Sequence, residues 1–231
     1  GTTPRKEADQ AKVLSGVFEG KTLGSPICVV VENTNQRSGD YDKLKEEYRP
    51  GHADKTYMQK YGIRDHRGGG RSSGRETVAR VIAGYFAALI LPQVKVRAFI
   101  SKVGPFEYNT LPDDMRGDFG DYSFPDLTKE KDIRDYLLKL KADGNSVGGR
   151  VCIVVDACPV GLGEPAFDKL KADFAKALLS IGACTSFSYG LGEKFSEMMG
   201  LDVSSNPNAF GGMEGGISNG EDIYFNVAFK P

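Results

Sequence analysis

The sequence predicts an α+β fold, and three observations carry that expectation. Strand-like and helix-like segments are mixed without a regular strand–helix–strand rhythm. One segment, residues 73–91, has helix punctuation at both ends and is apolar nearly all round. Several short runs are rich in Val, Ile and Phe and are bounded by Gly, Pro and Asp, the pattern of strands.

The elements follow in order. Residues 13–18 and 27–31 read as strands joined by the turn-rich residues 19–26. A polar stretch over residues 33–42 leads into a short charged helix, then Arg49-Pro50-Gly51-His52 and a glycine-rich loop over residues 64–72. Ser73 and Glu76 have capping-box spacing at the head of the next helix, and Pro92 stops it after Leu91. Its all-round apolar composition predicts burial between layers. Residues 93–103 alternate Val94, Val96, Ala98 and Ile100 with Lys95, Arg97, Phe99 and Ser101, a half-buried strand. Residues 104–126 have no period and read as an irregular excursion. Thr128 is expected to cap an amphipathic helix ending near Gly144. Then come a buried strand over 150–157, a helix over 167–181, and strands over 185–189 and 223–229.

Composition bounds the function. The 231 residues suffice for one large domain with a hydrophobic core, and a single domain over residues 1–231 is expected. Thirty basic against 31 acidic residues leave a net charge of -1, which argues against a nucleic-acid-binding chain and makes any basic cluster local. Cys28, Cys152, Cys158 and Cys184 form no C-x-x-C pair, and His52 and His66 are the only histidines, so no metal site is expected. Cys28 and Cys152 lie in apolar runs and are expected to be buried, reduced thiols of a cytoplasmic protein. No apolar run approaches a membrane span.

The chemistry concentrates in two stretches. In Arg64-Asp65-His66-Arg67-Gly68-Gly69-Gly70-Arg71-Ser72-Ser73-Gly74-Arg75, four arginines repel one another unless an anion or carboxylates sit among them. Consecutive glycines let backbone N–H groups approach a ligand, and the loop feeds a helix N-terminus, where negative charge is favoured. Arginine forks add bidentate bonds to phosphate. Gly69 and Gly74 have P-loop spacing, but Arg75-Glu76 stands where Lys-Ser/Thr is needed, which disfavours a P-loop nucleotide binder. His52, with Arg49 three residues before it and Asp54 two after, is the candidate proton-transfer group.

Four blocks, residues 13–27, 32–84, 159–173 and 211–223, resemble chorismate synthase signatures in that family's order. The resemblance implies a carbon–oxygen lyase of aromatic amino acid biosynthesis. It would convert 5-enolpyruvylshikimate 3-phosphate to chorismate by 1,4-elimination of phosphate, with reduced FMN required. It implies a β-α-β sandwich, with central helices between antiparallel sheets, and a homotetramer. His52 would be the catalytic acid, and Arg49 and Arg75 would contact substrate. Arg71, Ser72, Ser73, Gly182, Ala183, Gly215 and Lys230 would contact FMN. Reduced flavin is expected from elsewhere, although some members of the family reduce their own with NADPH. The family's opening block, with a second catalytic histidine, and its closing Arg-His-Asp-Pro block have no counterpart here. The chain is therefore expected to be incomplete at both ends, and the rival reading is a catalytically incomplete fragment that retains an anion- and FMN-binding core.

Overall fold

The structure, a computed structural model, describes residues 9–33, 45–67, 69–112, 117–206 and 209–231. The polar stretch over 33–42 and most of the charged helix expected after it lie outside these residues. The chain divides into two compact units, Gly1–Phe86 and Ala87–Pro231.

In the first unit, β1 (Ala11–Ser15) pairs antiparallel with β4 (Cys28–Val31), and β2 (Val17–Phe18) pairs with β3 (Lys21–Thr22) between them. The β1–β4 register slips between Val13 and Ser15. Gly16 follows at φ 82°, and a Cβ there would stand 2.7 Å from the Pro26 carbonyl oxygen, so only glycine fits this crossing. Helix α1 (Asp54–Tyr61) ends at Gly62, whose left-handed backbone lets its N–H reach the Met58 carbonyl at 2.9 Å. Two 3₁₀ turns follow, Gly70–Ser72 and Gly74–Glu76, and the second runs into α2 (Thr77–Ile90).

The second unit is built on a five-stranded antiparallel sheet. Its strands are β5 (Lys95–Val103), β6 (Phe106–Glu107), β7 (Gly149–Asp156), β8 (Cys184–Tyr189) and β11 (Ile223–Phe229), in the order β6-β5-β7-β11-β8. Helices α3 (Glu130–Ala142), α4 (Leu170–Leu179) and α5 (Gly200–Ser204) and the two-stranded β9–β10 pair (Met213–Glu214, Ile217–Ser218) complete it. Period-two alternation along β11 sends Ile223, Phe225 and Val227 to one face, where Phe174 and Leu178 of α4 pack against them. Phe225 lies 4.9 Å from the Phe174 ring and 5.7 Å from that of Phe187. On the other face Phe99, Cys152 and Val154 gather with Tyr108 and Phe119. Burial pushes the Cys152 thiol up to about 11, which makes it an inert core residue. The α+β class with antiparallel sheets is as the sequence predicts.

Several local expectations are corrected. No residue of α2 is buried: Val78, Ile82 and Phe86 form a half-buried stripe, while Val81, Tyr85, Leu89 and Ile90 are 63–78% exposed. An all-round apolar helix needs cover on every side, and one copy of this chain covers a single stripe. In β5 the buried face carries Phe99 and Ser101, and Val96 is exposed. The aromatic cluster around Phe99 and an Arg97–Asp156 ion pair at 3.1 Å decide the register against the aliphatic set. Thr128 does not cap α3: it lies in a 3₁₀ turn, Leu127–Lys129, that leads into the helix and is capped by Asp126, whose carboxylate accepts from Thr128 N at 3.0 Å and from the Thr128 hydroxyl at 2.5 Å. Phe167 lies outside α4 and is 95% exposed. Cys28 is exposed, because the β1–β4 ribbon has little packed over it, while Cys152 is buried as expected. The excursion after β5 opens with the short strand β6, whose Phe106 ring lies 5.9 Å from that of Tyr136 on α3.

Candidate active site

Residues 45–72 of the first unit fold around a carboxylate. Asp54, 5% exposed, occupies the first turn of α1, but its side chain turns away from the helix amides. Its Oδ2 accepts from Arg49 Nε at 2.8 Å and from the Arg49 backbone N–H at 3.1 Å. Its Oδ1 accepts from Arg49 Nη2 at 3.0 Å and from Arg64 Nη1 at 3.4 Å. The Arg49 guanidinium holds the Asp54 carboxyl well below the usual carboxylate range despite its burial, and His52 adds to the effect. Fork-to-carboxylate pairing of this kind fixes orientation as well as charge.

His52 sits inside this cluster, one quarter exposed. Its Nδ1 lies 3.1 Å from Asp54 Oδ1 and 3.1 Å from Arg49 Nη2. Pro50 and Gly51 form the turn that brings it there, with His52 N bonded to the Arg49 carbonyl at 3.2 Å. Arg64, only 7% exposed, tethers the cluster to the preceding segment through the Lys45 and Glu47 carbonyls at 3.3 Å, and its guanidinium stacks 5.2 Å from the Tyr48 ring centroid.

The glycine-rich loop closes against the same group. Gly69 is buried at φ 84°. A Cβ built there would meet Ser72 Oγ, Arg49 Nη2 and His52 Cε1 at 3.4–3.6 Å, so its backbone lies directly over the histidine and arginine. Gly68 lies outside the described residues. Ser72 Oγ donates to the Gly69 carbonyl at 2.6 Å. Ser73 Oγ accepts from Arg75 N at 3.2 Å, which caps the 3₁₀ turn and leaves the hydroxyl proton to donate. Glu76 does not complete a capping box: it binds Arg71 Nη1 at 3.0 Å instead.

The arginines of the loop are therefore not alike. Arg49 and Arg64 converge on Asp54 and His52. Arg75 pairs with Asp9 at 2.7 Å, Arg67 pairs with Asp65 at 3.0 Å, and Arg71 is 83% exposed. Carboxylates, rather than a ligand alone, offset the repulsion that the sequence implies.

In the second unit, Gly182 and Ala183 form the turn between α4 and β8. Ala183 takes a left-handed φ of 66°, and its carbonyl accepts from the Lys230 backbone at 3.0 Å, which brings these predicted flavin contacts together. Gly215, at φ 59°, occupies the separate β9–β10 turn with open space beside it. The same unit holds a cavity of about 870 Å³ on the face of the sheet that carries Phe99 and Cys152, where Arg150 donates to Ser101 at 3.0 Å and to Glu107 at 2.9 Å; none of the predicted flavin residues lines it. Asp54, the hub of the first unit, was visible in the sequence only as a neighbour of His52. An acid two residues past a histidine, with an arginine five residues before it and another ten after it, is the signal that marks it.

Fold and site together define an α+β enzyme class in which a histidine is set among guanidinium groups suited to phosphate chemistry. A profile of the family described as chorismate synthase matches residues 1–231. The chorismate synthase of Bacteroides thetaiotaomicron is 48% identical over 246 aligned positions, which take in 100% of this chain and 69% of the relative. That of Christiangramia forsetii is 48% identical, over 99% of this chain and 68% of the relative. A chorismate synthase crystal structure superposes with a TM-score of 0.75 at 27% identity, covering 96% of this chain and 70% of the other. The chain belongs to the chorismate synthase family.

Proposed function

We propose that this protein catalyses the 1,4-elimination of phosphate from 5-enolpyruvylshikimate 3-phosphate to give chorismate, with reduced FMN as cofactor. The carrying observation is the packed cluster of Arg49, His52, Asp54 and Arg64 beneath the backbone of Gly69. Elimination expels phosphate with the electrons of the broken C–O bond and releases a ring proton, so charge builds on the departing oxygen. Fixed guanidinium groups stabilise that charge without reorganising. Arg49, already oriented by Asp54, and Arg75 are assigned to the substrate.

The residues fit a flavin phosphate. Arg71 projects an unburied fork, Ser73 keeps a hydroxyl proton to donate, and both lie beside the 3₁₀ turn that feeds α2. Gly182, Ala183, Gly215 and Lys230 are assigned to the same cofactor, whose electron-rich ring, when bound, supplies reactivity that the side chains lack. His52 holds and delivers a proton at Nε2, the ring nitrogen that its contacts with Asp54 and Arg49 leave unengaged. We further assign the protein to the cytoplasm as a homotetramer, residues 1–231 contributing to a single domain. The exposed apolar face of α2, which a second subunit could cover, supports the oligomer. Among the described residues no helix is long and apolar enough to cross a membrane.

The test is anaerobic turnover of 5-enolpyruvylshikimate 3-phosphate with chemically reduced FMN, following phosphate release and chorismate absorbance. Turnover that needs reduced rather than oxidised FMN, and that falls about 10²-fold or more in His52→Ala, supports the assignment. Phosphate release that is indifferent to flavin, or a fully active His52→Ala enzyme, refutes it.

A further inference from the structure

We propose that Asp54 is the positioning residue of this site: it accepts a hydrogen bond from His52 Nδ1–H, so that Nε2 is the nitrogen that exchanges protons with bound ligand, and it simultaneously clamps Arg49. The inference rests on the proposed function for its chemical meaning, but its geometry stands alone.

His52 Nδ1, Asp54 Oδ1 and Arg49 Nη2 form a triangle with edges of 3.1, 3.1 and 3.0 Å. A ring nitrogen carries either a proton or a lone pair in its plane, never both, so Nδ1 satisfies one partner at a time. Arg49 can only donate, and it draws a bare Nδ1 and an Nε2–H tautomer. Asp54 can only accept, and it draws Nδ1–H. The carboxylate prevails because Arg49 Nη2 already has Asp54 Oδ1 as an acceptor at 3.0 Å, and the Arg49 Nε and backbone N–H both point at Oδ2. The guanidinium therefore does not depend on the imidazole, whereas Nδ1–H facing a carboxylate gains a charge-assisted bond.

Two features separate this role from a plain structural one. Asp54 stands in the first turn of α1, where an acid usually serves the helix terminus, yet its carboxyl is spent entirely on Arg49, Arg64 and His52. It is also nearly buried, so its two oxygens keep fixed directions and act in a medium that strengthens them. Among the described residues, the charged groups facing His52 from the elements packed on it are Arg49 and Asp54, with Arg64 acting through Asp54; Gly69 covers the ring edge with neutral backbone. After Nε2 gives up its proton, Nδ1–H remains bonded to Asp54, so the ring does not turn between turnovers. The arrangement is analogous to the orienting carboxylate of a Ser-His-Asp triad.

The experiment is nitrogen NMR of the ¹⁵N-histidine-labelled protein at a pH where His52 is neutral, its signals identified by their loss in His52→Asn, alongside the near-isosteric Asp54→Asn variant. The expected result is Nδ1–H in the wild type, Nε2–H in Asp54→Asn, and a kcat lowered on the order of 10- to 100-fold in a variant with a native circular dichroism spectrum. A wild-type Nε2–H tautomer overturns the proposal, as does an Asp54→Asn protein with unchanged tautomer or unchanged kcat. Should the variant not fold, the wild-type tautomer decides by itself. Because the ring measurement needs no turnover, it is distinguishable from a failure of the proposed reaction.

Discussion

Replacing Gly69 by alanine separates two kinds of cost at the site. The steric one is small: the new methyl would meet Ser72 Oγ, Arg49 Nη2 and His52 Cε1 at 3.4–3.6 Å, ordinary van der Waals contact. The conformational one is not, since φ stands at 84°, where an L side chain costs about 1–2 kcal/mol. Alanine also loses less entropy on folding, but that offset of roughly 0.4–1 kcal/mol operates fully only where the backbone is compatible. A net cost of about 1 kcal/mol or slightly more follows, equivalent to a melting temperature lower by roughly 2–4 °C for a chain of this size. The strained loop is the one assigned above to the flavin phosphate, so about half of the cost is expected as weaker FMN binding, roughly twofold in Kd. Thermal unfolding and fluorescence titration of FMN measure the two effects. Gly74→Ala is the control, because that glycine has an ordinary backbone and nothing within 4 Å of a built Cβ. Gly69→Ala with wild-type melting and affinity, or a Gly74→Ala variant as damaged as Gly69→Ala, would refute the reasoning.

Two further outcomes follow from burial and charge. Phe225→Ala should lower unfolding free energy by about 3–5 kcal/mol in urea titration, because the ring is 3% exposed and wedged against Phe174 and Phe187, whereas Phe167→Ala, at 95% exposure, should change it by less than about 0.5 kcal/mol. The Asp54 carboxyl is held below its ordinary value of 3.8, so its contribution to stability is complete above that pH and is lost as the pH falls further. Acid titration followed by circular dichroism should accordingly show a steeper loss below about pH 4 in the wild type than in Asp54→Asn, and parallel curves would contradict the pairing.

Punctuation was the most legible part of the fold. Pro92 and the Ser73 region place α2 within a few residues, and β7 and β11 read directly as apolar β-branched runs. What the sequence misread was partnership. The alternation over β5 offers two faces, and the choice went to Phe99 because Tyr108 and Phe119, from the aperiodic segment after β5, pack against it and no local pattern announces them. Asp126 displaced Thr128 as a cap because both have capping chemistry two residues apart, and propensity alone does not rank them. The exposed face of α2 likewise depends on what surrounds the helix rather than on its own residues. At the site, the glycines and arginines were conspicuous as types, but their pairing was not. Arg71 and Arg75 look equivalent to Arg49 and Arg64 in sequence, yet only the latter two share Asp54 with His52.

The placement of β11 has a consequence for how the second unit comes into being. The strand is inserted between β7 and β8, more than sixty residues after β7 and about thirty-five after β8, judged from their bounds. While a ribosome is still making the stretch before Ile223, β7 and β8 have no ladder to join them, and the apolar edge around Val151 and Ile153 waits unpaired. Such late, long-range closure slows folding and makes the nascent chain a natural client for chaperones until its central strand arrives.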